Sequence, residues 1–189
     1  MSQHVWLVRH GETDWSLTGQ HTGGTDLPLT AKGEERARSL RRVLSAHPFD
    51  LVLSSPLQRA RRTAELAGFS PDACDDLREW DYGDYEGRTT ADIHTERPGW
   101  SLWRDGAPNG ETAADVAARA DRVVARARAV DGDVVLFAHG HLLRVLGARW
   151  VGLLPEDGRL LALDTGAICV LGYERETAVL QKWNYGPSL

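Results

Sequence analysis

An arginine and a histidine directly follow the first apolar segment of the chain. Val5–Val8 has the pattern of a short buried β-strand, and Arg9 and His10 come next. In α/β sheets, the carboxyl ends of the strands deliver side chains into a ligand crevice. A neutral imidazole is a nucleophile, and a planar guanidinium holds the oxygens of a phosphoryl group in a fixed geometry. The pair therefore predicts attack on a phosphoryl group.

Two further buried segments lead to polar residues of the same kind. Leu51–Leu53 leads to Arg59 in the first turn of the next helix, and Val134–Phe137 leads to His139 and Gly140. If these strands are neighbours in one sheet, their ends meet at one crevice. The backbone N–H groups at the start of the helix after His139 would add an anion site there. The sequence thus predicts a crevice for a phosphorylated ligand.

Each of these residues has an ordinary structural interpretation when it is taken alone. An Arg-His-Gly sequence is common by chance, and His139 could be a core histidine at a helix cap. Arg59 lies near Arg61 and Arg62, as on a solvated helix face, and Glu79 alone would be a loop carboxylate. The conjunction of all these residues is much less common by chance than any member, and this conjunction favours a site.

Strand-like and helix-like segments alternate along the chain, which is typical of a sheet covered by helices on both faces. The predicted strands are Val5–Val8, Leu51–Leu53, Val134–Phe137 and a closing hairpin of Ala167–Tyr173 and Thr177–Trp183. The predicted helices run from a Thr30 cap to about Ala46, from Ser55-Pro56 to Gly68, from Thr89 to Pro98, over 112–129 with a Thr112 cap, and over Leu142–Val151. The predicted irregular segments are Leu17–Pro28, Glu79–Gly87 and Trp100–Gly110.

Composition narrows the classes of function. The chain has 189 residues and a net charge of −5, which fits one domain over residues 1–189 and argues against nucleic acid or an anionic membrane as partner. Cys74 and Cys169 are too few for a disulfide framework or a zinc site. No apolar segment reaches spanning length or forms a signal peptide. We expect a reduced, cytoplasmic protein, and the oligomeric state stays open between a monomer and a homodimer joined at the C-terminal hairpin.

Four motifs resemble, in the same order, those of the histidine phosphatase superfamily in its phosphoglycerate mutase-like branch. The motifs are Arg9-His10-Gly11-Glu12, Ser54-Ser55-Pro56-Leu57-Gln58-Arg59-Ala60, Leu77-Arg78-Glu79-Trp80 and His139-Gly140. Three segments look most like bacterial broad-specificity acid phosphatases and fungal sedoheptulose-1,7-bisphosphatase, namely Leu77–Gly87, Trp103–Thr112 and Ala138–Arg144. The resemblance implies an α/β fold, a three-layer αβα sandwich on a mostly parallel sheet with one antiparallel strand.

The resemblance also implies a role for each matching position. His10 would be the nucleophile that becomes phosphohistidine. Glu79 would give a proton to the leaving alcohol and then activate water as a base. Arg9, Arg59 and His139 would hold the phosphoryl oxygens. The positions expected at the substrate, from the resemblance and from the basic residue between Trp100 and Gly110, are Gly11, Ser16, Thr22, Gly23, Tyr82, Arg104, Gly140 and His141.

The proposed chemistry needs these residue types. Phosphoryl transfer spreads negative charge over equatorial oxygens, which two permanently charged guanidiniums stabilise, so we expect no metal or other cofactor. His10 must be neutral to attack, and Glu79 must be protonated to release an alcohol, which predicts an acidic optimum. The expected substrate is a small phosphate ester. The sequence does not separate a dedicated sugar bisphosphatase from a phosphatase of broad range.

Three other functions fit parts of the pattern. A cofactor-dependent phosphoglycerate mutase would use the same site, but the stretch from Glu79 to His139 is shorter than in the mutases and lacks their paired arginines for a substrate carboxylate. Ser16 also departs from the asparagine common in the mutases, and His141 stands at a position often filled by asparagine. A catalytically silent phosphate-binding module would usually lack a catalytic residue. A nucleotide-binding domain would need a GxGxxG or P-loop pattern, which Gly19–Gly24 does not form. We favour hydrolysis.

Overall fold

One six-stranded sheet lies at the centre of the computed structural model, which describes residues 3–186. The strands are β1 (Val5–Arg9), β2 (Leu51–Ser54), β3 (Asp72–Ala73), β4 (Val134–Ala138), β5 (Ile168–Glu174) and β6 (Thr177–Tyr185). Their spatial order is β3-β2-β4-β1-β5-β6. The pairs among β1, β2, β3 and β4 are parallel, whereas β5 is antiparallel to both of its neighbours. This arrangement confirms the predicted mostly parallel sheet with one antiparallel strand.

Helices lie on both faces of the sheet. They are α1 (Asp14–Thr18), α2 (Ala31–Leu44), α3 (Gln58–Leu66), α4 (Thr90–Glu96), α5 (Leu102–Asp105), α6 (Ala113–Arg128) and α7 (Gly140–Trp150). Short 3-10 turns are formed by Asp75–Leu77, Gly83–Tyr85 and Pro155–Leu160.

Alternate residues of β1 pack against different helices. Trp6 and Val8 belong to a hydrophobic cluster with Leu40 of α2 and Ala64 of α3. Leu7 belongs to a larger cluster that includes residues of α6 and α7. Because successive side chains of a strand point to opposite faces, the sheet lies between two helical layers. The three-layer αβα architecture is confirmed.

The carboxyl ends of β1, β4 and β2 lie side by side. Arg9 is the register partner of Ala138, and Ser54 is the partner of Phe137. The chain therefore leaves the sheet at His10 and His139 from adjacent strands and at the same edge, as expected from the parallel arrangement.

Two helix starts are fixed by the predicted threonine caps. The Gly33 N–H donates to Thr30 Oγ1 at 3.0 Å at the start of α2. Thr112 and Asp115 form a reciprocal capping box at the start of α6. Both caps satisfy backbone N–H groups that a helix leaves without partners in its first turn.

The predicted helix start at Ser55-Pro56 is wrong. α3 begins at Gln58, and no side chain of the preceding residue caps it. The Ser55 hydroxyl instead lies 2.8 Å from Nε2 of His139. Asp26 supplies the missing cap, because its Oδ1 accepts from the Gln58 N–H at 2.8 Å. The first N–H group of α3 is thus capped by a residue 32 positions away in sequence, and not by the serine that precedes the helix.

Short elements lie in segments predicted to be irregular. α1 overlaps the start of Leu17–Pro28, α5 lies within Trp100–Gly110, and β3 lies where no strand was predicted. These elements have five, four and two residues, too few to show a hydrophobic period. α7 begins at Gly140 rather than at Leu142, so its first turn includes the residues that follow His139.

Within residues 3–186, no helix combines the length and apolar character needed to cross a membrane. The same residues contain no group of three or more His, Cys, Asp and Glu side chains placed to hold a metal ion. Cys74 and Cys169 are free thiols, and burial raises the pKa of Cys169 to about 12. The Cys169 thiol is therefore protonated at neutral pH.

Candidate active site

His10 lies just beyond β1 with a side chain that is almost entirely buried, at 5% exposure. Its Nδ1 is 2.7 Å from the carbonyl oxygen of Gly11, and because a carbonyl only accepts, Nδ1 carries the hydrogen. The lone pair is then on Nε2. Burial, followed by the charges of Arg9 and Arg59, holds the pKa of His10 well below 6.5. His10 is therefore a neutral imidazole with one nitrogen available for attack.

Gly11 fixes His10 through its backbone. The Gly11 N–H donates to Thr63 Oγ1 of α3 at 3.0 Å, and the His10 N–H donates to the carbonyl of Ala138 at 3.0 Å. A Cβ at Gly11 would collide with the carbonyl group of Gly33 in α2. These contacts account for glycine at position 11 and place it behind the nucleophile.

His139 lies edge-on to His10, with ring centroids 5.2 Å apart. Arg59 Nε donates to His139 Nδ1 at 3.2 Å, so the hydrogen of this imidazole is on Nε2, which donates to Ser55 Oγ at 2.8 Å. Burial, followed by Arg59 and His10, holds the pKa of His139 well below 6.5. Because the imidazoles of His10 and His139 are both neutral, the positive charge of the site comes from the guanidinium groups of Arg9 and Arg59.

Arg59 is fully buried in the first turn of α3. Its Nε–H binds His139, and three more N–H groups donate to the carbonyl oxygens of Thr22, Gly23 and Thr25 at 2.9–3.0 Å. An arginine has five N–H donors, so one on Nη1 is left for a ligand. Arg59 thus joins the sheet edge to the loop of residues 22–25.

Glu86 holds the same loop from its other side. Both carboxylate oxygens of Glu86 accept from the Gly23 N–H at 2.9 Å, and Oε1 also accepts from the Thr25 N–H at 3.0 Å. A Cβ at Gly23 would collide with the carbonyl oxygen of Trp80 and with Glu86. The structure therefore brings Thr22 and Gly23 to the site as backbone groups held between a guanidinium and a carboxylate.

Arg9 supplies the second guanidinium, from the last position of β1. Its Nη1 donates to the carbonyl of Leu163, whereas its buried Nε has no hydrogen-bond partner among the described residues. A Cβ at Gly140 would lie 3.2 Å from Arg9 Cζ and Nε, and the Gly140 N–H also makes no hydrogen bond within residues 3–186. Because a buried donor without an acceptor is costly, the adjacent donors indicate a place for an anion.

Glu79 caps the first turn of α7. Its Oε1 accepts from the N–H groups of Trp80 and Leu142 at 2.9 Å, and its Oε2 accepts from that of His141 at 3.1 Å. The free N–H groups expected at the start of this helix are therefore reduced to that of Gly140, which corrects the sequence-based expectation. The three N–H donors hold the Glu79 carboxyl in a fixed position at the start of α7.

Tyr82 and His141 form a polar pair beside Glu79. Tyr82 Oη lies 2.6 Å from His141 Nδ1. Burial raises the pKa of Tyr82 well above 10.0 and lowers that of His141 well below 6.5, so the phenol donates and the neutral imidazole accepts. The hydrogen of His141 is then on Nε2. This atom has no hydrogen-bond partner in the described part of the chain and is not sealed from solvent.

Aromatic rings surround this pair. His21 stacks on Tyr82 with centroids 4.7 Å apart and meets Trp100 at 5.7 Å. Trp103 meets His141 at 5.3 Å. Burial lowers the pKa of His21, so this imidazole is neutral at pH 7 as well. We call these five rings the aromatic wall; it is uncharged and lies next to Glu79.

Two of the predicted substrate-binding residues, Ser16 and Arg104, make hydrogen bonds to near neighbours in sequence. Ser16 Oγ donates to the carbonyl of Thr13 at 2.8 Å and accepts from its N–H, which completes the capping box of α1. Arg104 pairs with Asp105 and donates to the carbonyl of Gly99. Among residues 3–186, no hydrogen bond or ring contact joins Ser16 or Arg104 to the residues around His10.

Two residues at the site, His21 and Glu86, were not predicted from the sequence. His21 directly precedes Thr22 in a segment rich in Gly, Thr and His, and Glu86 lies in the acidic and aromatic segment after Glu79. Composition therefore marked both segments. The two segments meet through the Gly23 N–H and the Glu86 carboxylate, which are 63 positions apart, and no local pattern predicts such a pairing.

Comparison with known proteins gives a family and named relatives. The sequence matches the histidine phosphatase superfamily (branch 1) over residues 5–186. It is 42% identical over 187 residues to an acid phosphatase of Mycobacterium tuberculosis, covering 95% of this chain and 92% of that protein. It is 39% identical over 182 residues to a sedoheptulose 1,7-bisphosphatase of Saccharomyces cerevisiae, covering 78% and 67%. A solved Mycobacterium tuberculosis structure superposes with a TM-score of 0.94 at 39% identity, covering 97% of this chain and 98% of that one.

These matches confirm the resemblance drawn from the four motifs. The relatives support phosphatase activity in this chain. The family match spans residues 5–186, so it includes the nucleophile candidate, both arginines, the carboxylate and the aromatic wall. The chain belongs to the histidine phosphatase superfamily, branch 1.

Proposed function

We propose that this protein hydrolyses small phosphate monoesters through a phosphohistidine at His10, without a metal ion. The observation that carries the proposal is the state of His10, which is neutral, has its Nδ1–H bound to the Gly11 carbonyl and keeps Nε2 free. The nearby guanidiniums of Arg9 and Arg59 would neutralise the charge on the transferring phosphoryl oxygens.

In the first step, His10 Nε2 forms a bond to phosphorus while the bond from phosphorus to the ester oxygen breaks. The departing oxygen takes a proton from Glu79, which must enter this step as the acid. The dianionic phosphoryl group next to Glu79 favours that protonated form, because it repels a second negative charge.

In the second step, a water molecule attacks the phosphorus of phosphohistidine. Glu79, now ionised, takes the proton of that water, and the bond from phosphorus to Nε2 breaks to release inorganic phosphate. The backbone N–H groups of Trp80, His141 and Leu142 stabilise the carboxylate in this step. The nucleophile and the acid return to their starting forms, so the cycle is closed.

Steady-state kinetics on a panel of phosphate esters tests the proposal. We expect turnover of p-nitrophenyl phosphate and of small alkyl and sugar phosphates, unchanged by EDTA and inhibited by vanadate. His10→Ala should abolish it, whereas His4→Gln, at the opposite end of β1, should not. Loss of activity on chelation would contradict the metal-free part. Interconversion of 2- and 3-phosphoglycerate faster than hydrolysis would favour a mutase instead.

A further inference from the structure

We propose that Tyr82 and His141 act together as one neutral hydrogen-bond donor that selects esters whose leaving group carries a hydroxyl. The proposal rests on the phosphatase function proposed above and concerns the part of the substrate beyond the phosphoryl group. The resemblance assigned Tyr82 to the substrate directly. In this chain its hydroxyl is used by His141 at 2.6 Å, and the Nε2–H of His141 is left without a partner among residues 3–186.

The position of Glu79 places this donor beside the leaving group. The ester oxygen must come within hydrogen-bond distance of the Glu79 carboxyl to receive a proton. That carboxyl contacts the backbone N–H of His141 at 3.1 Å. Whatever is attached to the ester oxygen therefore extends past residue 141 and along the aromatic wall.

Tyr82 decides which nitrogen of His141 carries the hydrogen. An isolated imidazole exchanges between two tautomers, and only one of them has its hydrogen on Nε2. Because the Tyr82 hydroxyl donates to Nδ1, it holds the imidazole in that tautomer. Tyr82 is thus a positioning residue, and His141 is the residue that meets the leaving group.

The wall suits a leaving group with apolar faces. His21 and Trp103 pack around the pair with centroids 4.7 and 5.3 Å away, and rings of this kind pack against the apolar C–H faces of alcohols and sugars. A hydroxyl carried by such a leaving group would meet the neutral donor of His141 among these rings.

Two esters with a primary alcohol as leaving group test this selection. Hexyl phosphate has no hydroxyl, whereas glucose 6-phosphate carries several. For the unmodified protein we expect the higher kcat/KM with glucose 6-phosphate. His141→Ala and Tyr82→Phe should each lower it about tenfold, the size of one lost hydrogen bond. Both should lower kcat/KM for hexyl phosphate much less, because this ester offers no hydroxyl to the donor.

The double variant and a glutamine variant separate positioning from folding. Because the two residues act as one donor, Tyr82→Phe combined with His141→Ala should lose no more than His141→Ala alone. In His141→Gln the side-chain amide donates by itself, so adding Tyr82→Phe should have no further effect on glucose 6-phosphate. A purely structural role would lower turnover of both esters to the same extent.

Two results would overturn the proposal. One is an equal loss for hexyl phosphate and glucose 6-phosphate in the single variants, and the other is additive losses in the double variant. If the unmodified protein hydrolyses hexyl phosphate and the variants show either result, the phosphatase function stands and the selection fails. If the unmodified protein hydrolyses neither ester, both fail.

Discussion

Hydrogen-bond partners decide which nitrogen each imidazole of the site offers. The Gly11 carbonyl leaves Nε2 of His10 free, whereas Arg59 and Ser55 occupy both nitrogens of His139. Two histidines in one buried pocket are thereby given different tasks. One is available as nucleophile, and the other holds Arg59 in place.

Replacing Glu79 by glutamine should separate the two chemical steps. Glutamine keeps one acceptor oxygen for the first turn of α7 but gives no proton to the departing oxygen. We expect single-turnover release of hexanol from hexyl phosphate to fall by about 10²–10⁴. Release of p-nitrophenolate should fall much less, because this leaving group departs without a proton. Rapid-quench measurement of both checks the prediction, and an equal fall for both esters would contradict it.

Replacing Glu86 by alanine should weaken phosphate binding. The change leaves the N–H groups of Gly23 and Thr25 without their acceptor. The loop that holds the Arg59 guanidinium would then loosen, so we expect the Kd for inorganic phosphate to rise about tenfold. Asp121→Ala, which breaks a bidentate pair with Arg149 between α6 and α7, serves as control. If calorimetry gave the same Kd for inorganic phosphate in both variants, Glu86 would not support phosphate binding.

Among the elements, α6 shows how local sequence sets a boundary. Thr112 and Asp115 form its capping box, and within residues 3–186 the side-chain hydrogen bonds of Thr112 all lie in this cap. We expect Thr112→Ala to lower the free energy of unfolding by about 1 kcal/mol in urea denaturation. Its kcat/KM with p-nitrophenyl phosphate should equal that of the unmodified protein. A loss of activity without a loss of stability would show that this cap serves the site.

The elements whose boundaries depend on neighbouring residues were predictable from the sequence. The elements that depend on residues far along the chain were not. β1 and β4 are continuous apolar runs, as buried parallel strands are, and Thr30 and Thr112 are caps of a common type. The start of α3 was mispredicted because its cap, Asp26, comes from a distant loop. β3 has two exposed residues and exists only through its pairing with β2.

The residues of the site also differ in whether the sequence alone could predict them. The four motifs predicted His10, Arg9, Arg59, Glu79 and His139 because each lies at or near the end of a regular element, or in a motif with a known order. The Glu86 clamp and the Tyr82–His141 pair depend on loops meeting across the fold, and no spacing rule specifies those contacts. Arg104, which was expected at the substrate, pairs instead with its neighbour Asp105.

At the scale of the whole molecule, buried neutral histidines make stability depend on pH. The pKa values of His10, His139, His141 and His21 all lie below 6.5 in the folded chain, chiefly because of burial. As the pH falls below 6.5, the unfolded chain binds protons that the folded chain does not. The free energy of unfolding must then decrease, by at most about 1.4 kcal/mol per pH unit for each group.

Urea denaturation at pH 7.5 and pH 5.5 checks this dependence. We expect a lower midpoint at pH 5.5, and a smaller difference in His141→Gln, which removes one of the titrating groups. Carboxylates contribute little in this range because their ordinary pKa values lie near 4. A midpoint that stays constant or rises at pH 5.5 would contradict the burial of these imidazoles in neutral form.

Trapping the covalent intermediate tests the central claim most directly. In Glu79→Gln, p-nitrophenyl phosphate should still phosphorylate the protein, while water attack is slowed by loss of the base. We predict a burst of about one equivalent of p-nitrophenolate and, in peptides from protein quenched at alkaline pH, phosphate on His10. Absence of covalent phosphate during turnover, or phosphate on any other residue, would contradict the account.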